Sequence, residues 1–398
     1  MGVLFPATAR VSFRLVPWTP TRSRAVRWPV AALCAALLFT GSAPAGPHVT
    51  LLSSPHRFSL AAWEVEKLWE RGAPLIRDAL HSAEVAEAAP PGVLNGSTEV
   101  RRAHRGELEA VISRAVSRAL VTEGLGLDLP WAREPVLLPP LSFALVEPPR
   151  VLIVAERGRI VVRQSELLRP DITLADAEAL ERRVDRLGVS SLTVPIGGLA
   201  TYPAMVLENQ PPGELVVAAA HEWVHAYLFF SPLGMAYWQG GFAREVNETA
   251  ADMASREIGR RVAAELGIAP SAREASPGGD RLFRAMIRET RTEVDALLSS
   301  GRVEEAEAYM RERRDELAQA GFNVRKLNQA YFAFYGSYGD AAAGASRTPV
   351  RLARLRETAG SVGAFLKAVR TIVSPEDLAR ATGAAGPSAE DATIGRGS

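Results

Sequence analysis

The segment from Glu214 to Phe230 constrains this chain more than any other. It begins with Leu215-Val216-Val217-Ala218-Ala219-Ala220, follows Pro211-Pro212-Gly213 and ends near Ser231-Pro232. Those borders bracket a helix of about 17 residues. It is too short and too interrupted by polar residues to cross a bilayer, so it reads as a buried central helix. Yet it carries His221, Glu222 and His225, and burying such groups unpartnered is expensive. A second segment, about Ala243 to Leu266, carries Asn247, Glu248 and Asp252. Residues four apart share a helix face. His221 therefore stands beside His225 on one helix, and Glu248 beside Asp252 on the other.

The remaining composition permits a large core. The chain has 398 residues, 47% hydrophobic and 23% charged, which is globular and long enough for one large domain or two to three smaller ones. A single cysteine excludes an intrachain disulfide scaffold. The net charge of +1 hides an asymmetry: Arg10, Arg14, Arg22, Arg24 and Arg27 stand in a start without acids, and removing them leaves the body at −4. No basic stripe interleaved with aromatics points to nucleic acid.

After that basic start comes an apolar run of 11 residues, Pro29 to Phe39, then Gly41-Ser42-Ala43-Pro44-Ala45. Basic region, short apolar region and small-residue site are the layout of a signal peptide. Read from Ala25 to Ala45, the same stretch has the length of a membrane anchor. Either reading puts the body outside the cytoplasmic membrane, periplasmic or extracellular. The alternative is an irregular start followed by a buried first helix.

Five regions are expected along the chain: 1–45 as signal peptide or anchor, 46–135 as a helical region, 136–270 as a core of small sheet plus two motif-bearing helices, 271–380 as a C-terminal helical region, and 381–398 as a disordered tail. The pattern predicts helices over 59–81 and 99–120. Strands are expected at 141–146, 151–155, 160–162 and 192–196, with a hairpin at Gly158 and a loop over 197–203. Helices follow at 174–187, 280–299, 303–320, 327–334 and 350–370. The fold class is α+β, mostly helical, with a small β-sheet ahead of the helix that carries His221.

Two histidines one turn apart can bind one metal ion through ring nitrogens. Glu222 projects about 100 degrees further round the helix. It is poorly placed as a third ligand but can reach a water on the metal. Glu248 is the best third ligand, and Asp252 can accept a hydrogen bond from the far nitrogen of a ligand histidine, His221 first. With an open fourth position this describes one catalytic Zn²⁺. A structural zinc site would have no use for Glu222 and usually employs cysteines. The competing readings are core histidines bonded to acids without metal, a metal-binding protein without catalysis, and a helical interaction protein.

The pattern His-Glu-x-x-His with a downstream glutamate resembles the gluzincin branch of zinc metallopeptidases, and Asn-Glu-x-x-x-Asp is similar to the thermolysin-like form of its second motif. The resemblance covers about residues 213–260. It implies a zincin-like fold, His221, His225 and Glu248 as ligands, Glu222 as general base and acid, Asp252 behind a ligand, and a peptide or protein substrate. The 22 residues between His225 and Glu248 exceed the usual spacing by a few. No histidine follows His225, so a tyrosine is the expected donor to the reaction's oxyanion. Tyr335 and Tyr338 are the candidates, with Tyr202 and Tyr237 as rivals; an aromatic core stripe is the competing explanation. Gly197 to Tyr202 offers an edge for an extended peptide. Arg288, Arg291 and Arg325 are expected in salt bridges. Asn95 and Asn247 match the glycosylation sequon, but Asn247 should be buried. Endopeptidase and aminopeptidase stand equal.

Overall fold

The computed structural model describes residues 47–67, 92–130, 132, 134–237, 241–268, 277–336 and 347–383. Residues 1–45, the greater part of the expected 59–81 helix, Tyr338 and residues 384–398 of the expected tail lie outside them. Helices α1 (Pro47–Ser53), α2 (60–67), α3 (Thr98–Ala103) and α4 (Arg105–Leu120) come first. The expected 99–120 helix is broken at His104, whose backbone leaves helical geometry between α3 and α4. On α4, Leu108, Val111, Ile112, Ala115 and Leu120 are buried in the core and Ala119 packs against it.

The strands form two three-stranded sheets rather than one. In the first, β2 (Arg150–Glu156) pairs antiparallel with β3 (Val162–Leu168) and with β4 (Val189–Pro195). As the central strand, β2 is buried on both faces. Val151, Ile153 and Ala155 pack toward α11 (Gln329–Tyr335), and Leu152 and Val154 toward α5 (Leu174–Asp185). That two-sided burial explains its unbroken apolar run. Thr173 caps α5 by accepting from the Asp176 N–H.

The second sheet has the order β1-β6-β5. β1 (Phe143–Val146) runs parallel to β6 (Ala204–Leu207), and the two-residue β5 (Gly198–Leu199) pairs antiparallel with β6. The loop expected over 197–203 thus contains an edge strand. β6 escaped the sequence reading because four apolar residues after Pro203 are too few to show a period.

From β6 the chain turns at Pro211 into α6 (Pro212–Phe229). Then follow the short α7 (Pro232–Ala236), capped by Ser231, and the long α8 (Gly241–Glu265). α7 absorbs the extra residues between the two motifs. α6 and α8 pack face to face, the His221 turns of one against the Glu248 turns of the other. The approach is closest at Gly259, where an added Cβ would lie 2.5 Å from Val217 Cγ2. β1, β6 and α4 close this core on one side. Helices α12 (Thr348–Thr358), α13 (Val362–Val369) and α14 (Pro375–Ala381) close it on another. The expected 350–370 helix breaks at 359–361, where Ser361 caps α13, and α14 starts in a capping box of Ser374 and Asp377.

Helices α9 (Pro277–Ser299) and α10 (Val303–Gln319) form a hairpin, with a separate core of Ile287, Val294, Met310 and Leu317. No helix among the described residues is long and apolar enough to cross a membrane. Gly259→Leu forces a side chain into the α6–α8 contact. It should cost about 1–3 kcal/mol of unfolding free energy, read as a lower midpoint in denaturant titration.

Candidate metal centre

The α6–α8 contact sets the His221 face of one helix against the Glu248 face of the other. Nε2 of His221 lies 2.9 Å from Nε2 of His225, and Glu248 Oε2 lies 3.6 Å and 3.5 Å from the two. Ligands at 2.0 to 2.1 Å on a tetrahedral zinc are separated by about 3.4 Å. The three atoms therefore outline one face of such a tetrahedron.

The outer atoms of the imidazoles fix the chemistry of the inner ones. His221 Nδ1 is 3.2 Å from Asp252 Oδ1, and His225 Nδ1 is 2.7 Å from Asn247 Oδ1. A carboxylate and an amide oxygen only accept hydrogen bonds, so each Nδ1 carries a proton. In the neutral rings both Nε2 atoms then present lone pairs to each other and to an anionic oxygen. Glu248 Oε2 is buried and makes no hydrogen bond. Three acceptors converging in a buried place require a cation, and the donor set of two imidazoles and one carboxylate suits Zn²⁺.

Electrostatics without the ion point the same way. Burial pulls the His221 pKa down, but Asp252 beside it and the charges of Glu222 and Glu248 hold it well above the usual value. His225 is likewise raised, the charge of Glu248 outweighing burial. Glu248 is held well below the carboxylate range because the histidines overcome its burial. Without metal the cluster thus holds protons that metal displaces.

Glu222 is 7% exposed and lies outside the ligand set. Burial pushes its pKa up, only partly countered by His221 and His225. Its carboxylate rests against β5. A Cβ at Gly198 would come within 2.9 Å of both Glu222 Cδ and the Met205 carbonyl oxygen. Glycine at this edge makes room for the carboxylate.

The expected ligands His221, His225 and Glu248 therefore come together, with Asp252 behind His221 as read from sequence. Asn247, noted only as a buried sequon, turns out to orient His225. Tyr237, a rival for the oxyanion donor, instead donates its hydroxyl to Glu248 Oε1 at 2.5 Å. Burial and the Glu248 charge hold its pKa well above the phenol range, so it stays a donor. Nothing in the spacing of Tyr237 and Glu248 signals that contact, because it crosses from α7 to α8. Tyr335 packs with Tyr331 and Phe334, ring centres 4.6 and 5.0 Å away, against the β2–β4 sheet. That packing places it in the aromatic stripe. Tyr202 is buried at the end of the β5 segment. Of the arginines, Arg291 pairs with Asp295 and Arg325 with Glu181.

Comparison of the chain with protein-family models, with curated proteins and with solved structures returned no match. Two outcomes follow from the geometry. Zinc uptake at neutral pH should release protons, and affinity should fall as pH is lowered, because the histidines' raised pKa values make protons the competitor. Calorimetry in buffers of different ionisation enthalpy reads the proton count. Gly198→Ala should displace the Glu222 carboxylate and lower hydrolysis while zinc stoichiometry, measured by metal analysis, stays the same. The buried His221–His225–Glu248 cluster, with two histidines four residues apart and a downstream acid, matches the gluzincin zinc-binding signature.

Proposed function

We propose that the protein is a zinc-dependent metallopeptidase that hydrolyses peptide bonds in an extended peptide or protein segment. The observation that carries this reading is the convergence of His221 Nε2, His225 Nε2 and Glu248 Oε2 on one point, with a free, buried carboxylate, Glu222, beside it. A site built only to hold metal has no need of Glu222.

Zinc, when bound by those three residues, supplies a Lewis acid that polarises a carbonyl and makes water nucleophilic near neutral pH. The chain's own groups do the rest. Glu222 takes the proton of the attacking water and gives it to the leaving nitrogen, a role suited to a carboxylate whose pKa burial has raised. Asp252 and Asn247 hold the imidazoles in the tautomer that keeps Nε2 unprotonated. β5 is the terminal strand of its sheet and stands next to Glu222. An extended substrate adding to that edge would bring its backbone alongside the base. Tyr338 remains the candidate oxyanion donor. The basic, apolar and small-residue order of residues 1–45 supports export or anchoring, with the catalytic body outside the cytoplasmic membrane.

The test joins composition to rate. The full chain should carry one zinc, and a His221→Ala/Glu248→Ala variant none. Glu222→Gln should keep the zinc and lose about 100- to 10,000-fold in hydrolysis of a quenched fluorescent peptide pool. Unchanged hydrolysis in Glu222→Gln would overturn the mechanism. A parent without zinc, even after zinc is supplied, would overturn the function.

A further inference from the structure

We infer that Tyr237 is a positioning residue that makes Glu248 a one-oxygen ligand and so keeps a coordination position open. The inference rests on the zinc reading above and assigns to the chain the means of controlling coordination number. A carboxylate can bind a cation through one oxygen or both. Here the two oxygens of Glu248 are treated differently. Oε1 accepts the Tyr237 hydroxyl at 2.5 Å, within the range of a bond to a charged acceptor. Oε2 has no hydrogen bond and faces both Nε2 atoms.

Tyr237 is held in place by contacts other than this bond. It follows α7 directly, and α7 is anchored by the Ser231 cap and by buried Leu233. Its ring stands edge-on to His225, centres 6.0 Å apart, and lies 5.2 Å from the Arg244 guanidinium. The hydroxyl is therefore aimed before any ion arrives. The three ligand groups then follow one rule. Asp252 takes the outer atom of His221, Asn247 that of His225, and Tyr237 that of Glu248. Each group is left with one atom for the metal. Three such atoms leave a fourth tetrahedral position for water or substrate. Released from Tyr237, Oε1 can turn toward the metal and occupy it.

The experiment loads the full chain and its Tyr237→Phe variant with Co²⁺, whose visible bands weaken as coordination rises above four. Phenylalanine keeps the ring, so the metal-free variant should melt with the parent. The parent should show the intense bands of a four-coordinate ion. The variant should show weaker, shifted bands and bind the metal about 10- to 100-fold less tightly. A space-filling tyrosine would leave the spectrum unmoved, and identical spectra with identical affinities would overturn the inference while leaving the zinc reading intact. A parent that takes up no cobalt would overturn both.

Discussion

Everything chemical in this protein depends on how closely α6 and α8 approach. At their contact Gly259 lies against Val217, and side chains on facing turns of the two helices share one point. His221 and His225 alone set two ligand atoms on one turn, but a helix cannot curl a third onto the same spot. Glu248 reaches it only because the second helix lies against the first. Larger residues at the contact would separate the two motifs while leaving each intact.

The interface also explains how a costly set of groups is tolerated. Four ionisable side chains, His221, Glu222, His225 and Glu248, sit in or beside the main hydrophobic core. Burial penalises each charge, and each shifts its pKa in response. Pairing recovers part of the penalty through Asp252, Asn247 and Tyr237. The uncompensated remainder is the group of lone pairs between the rings, which a divalent cation satisfies. Fold and metal are thus mutually dependent: packing brings the acceptors together, and the ion relieves their repulsion.

Much of this was legible in the chain because the signals are local. Proline borders and the apolar run define α6, and four-residue spacing defines the shared faces. The ligand set could be read because helical geometry alone places His221 with His225 and Glu248 with Asp252. What could not be read depends on contacts between elements far apart in sequence or on segments too short to show a period. β5 and β6 have two and four residues, and β6 pairs with β1, some sixty residues earlier in the chain. The Tyr237–Glu248 bond depends on the path of α7. The break at 359–361 falls at Gly360, just before the Ser361 cap of α13. Tyr335 stands in an aromatic run open to both a core stripe and a catalytic role, and its contacts with Tyr331, Phe334 and the β2–β4 sheet depend on folding.

The α9–α10 hairpin adds a thermodynamic consequence. Its apolar residues close on one another and on α11, forming a core separate from the one that holds α6 and α8. Few interactions need be lost from one core when the other opens, which is the condition for unfolding in stages. The hairpin can open as a cooperative unit of its own while the two motif-bearing helices stay packed. For this chain, the temperature at which helical content falls and the temperature at which the ligand cluster disperses are then separate quantities, and a single unfolding free energy describes neither.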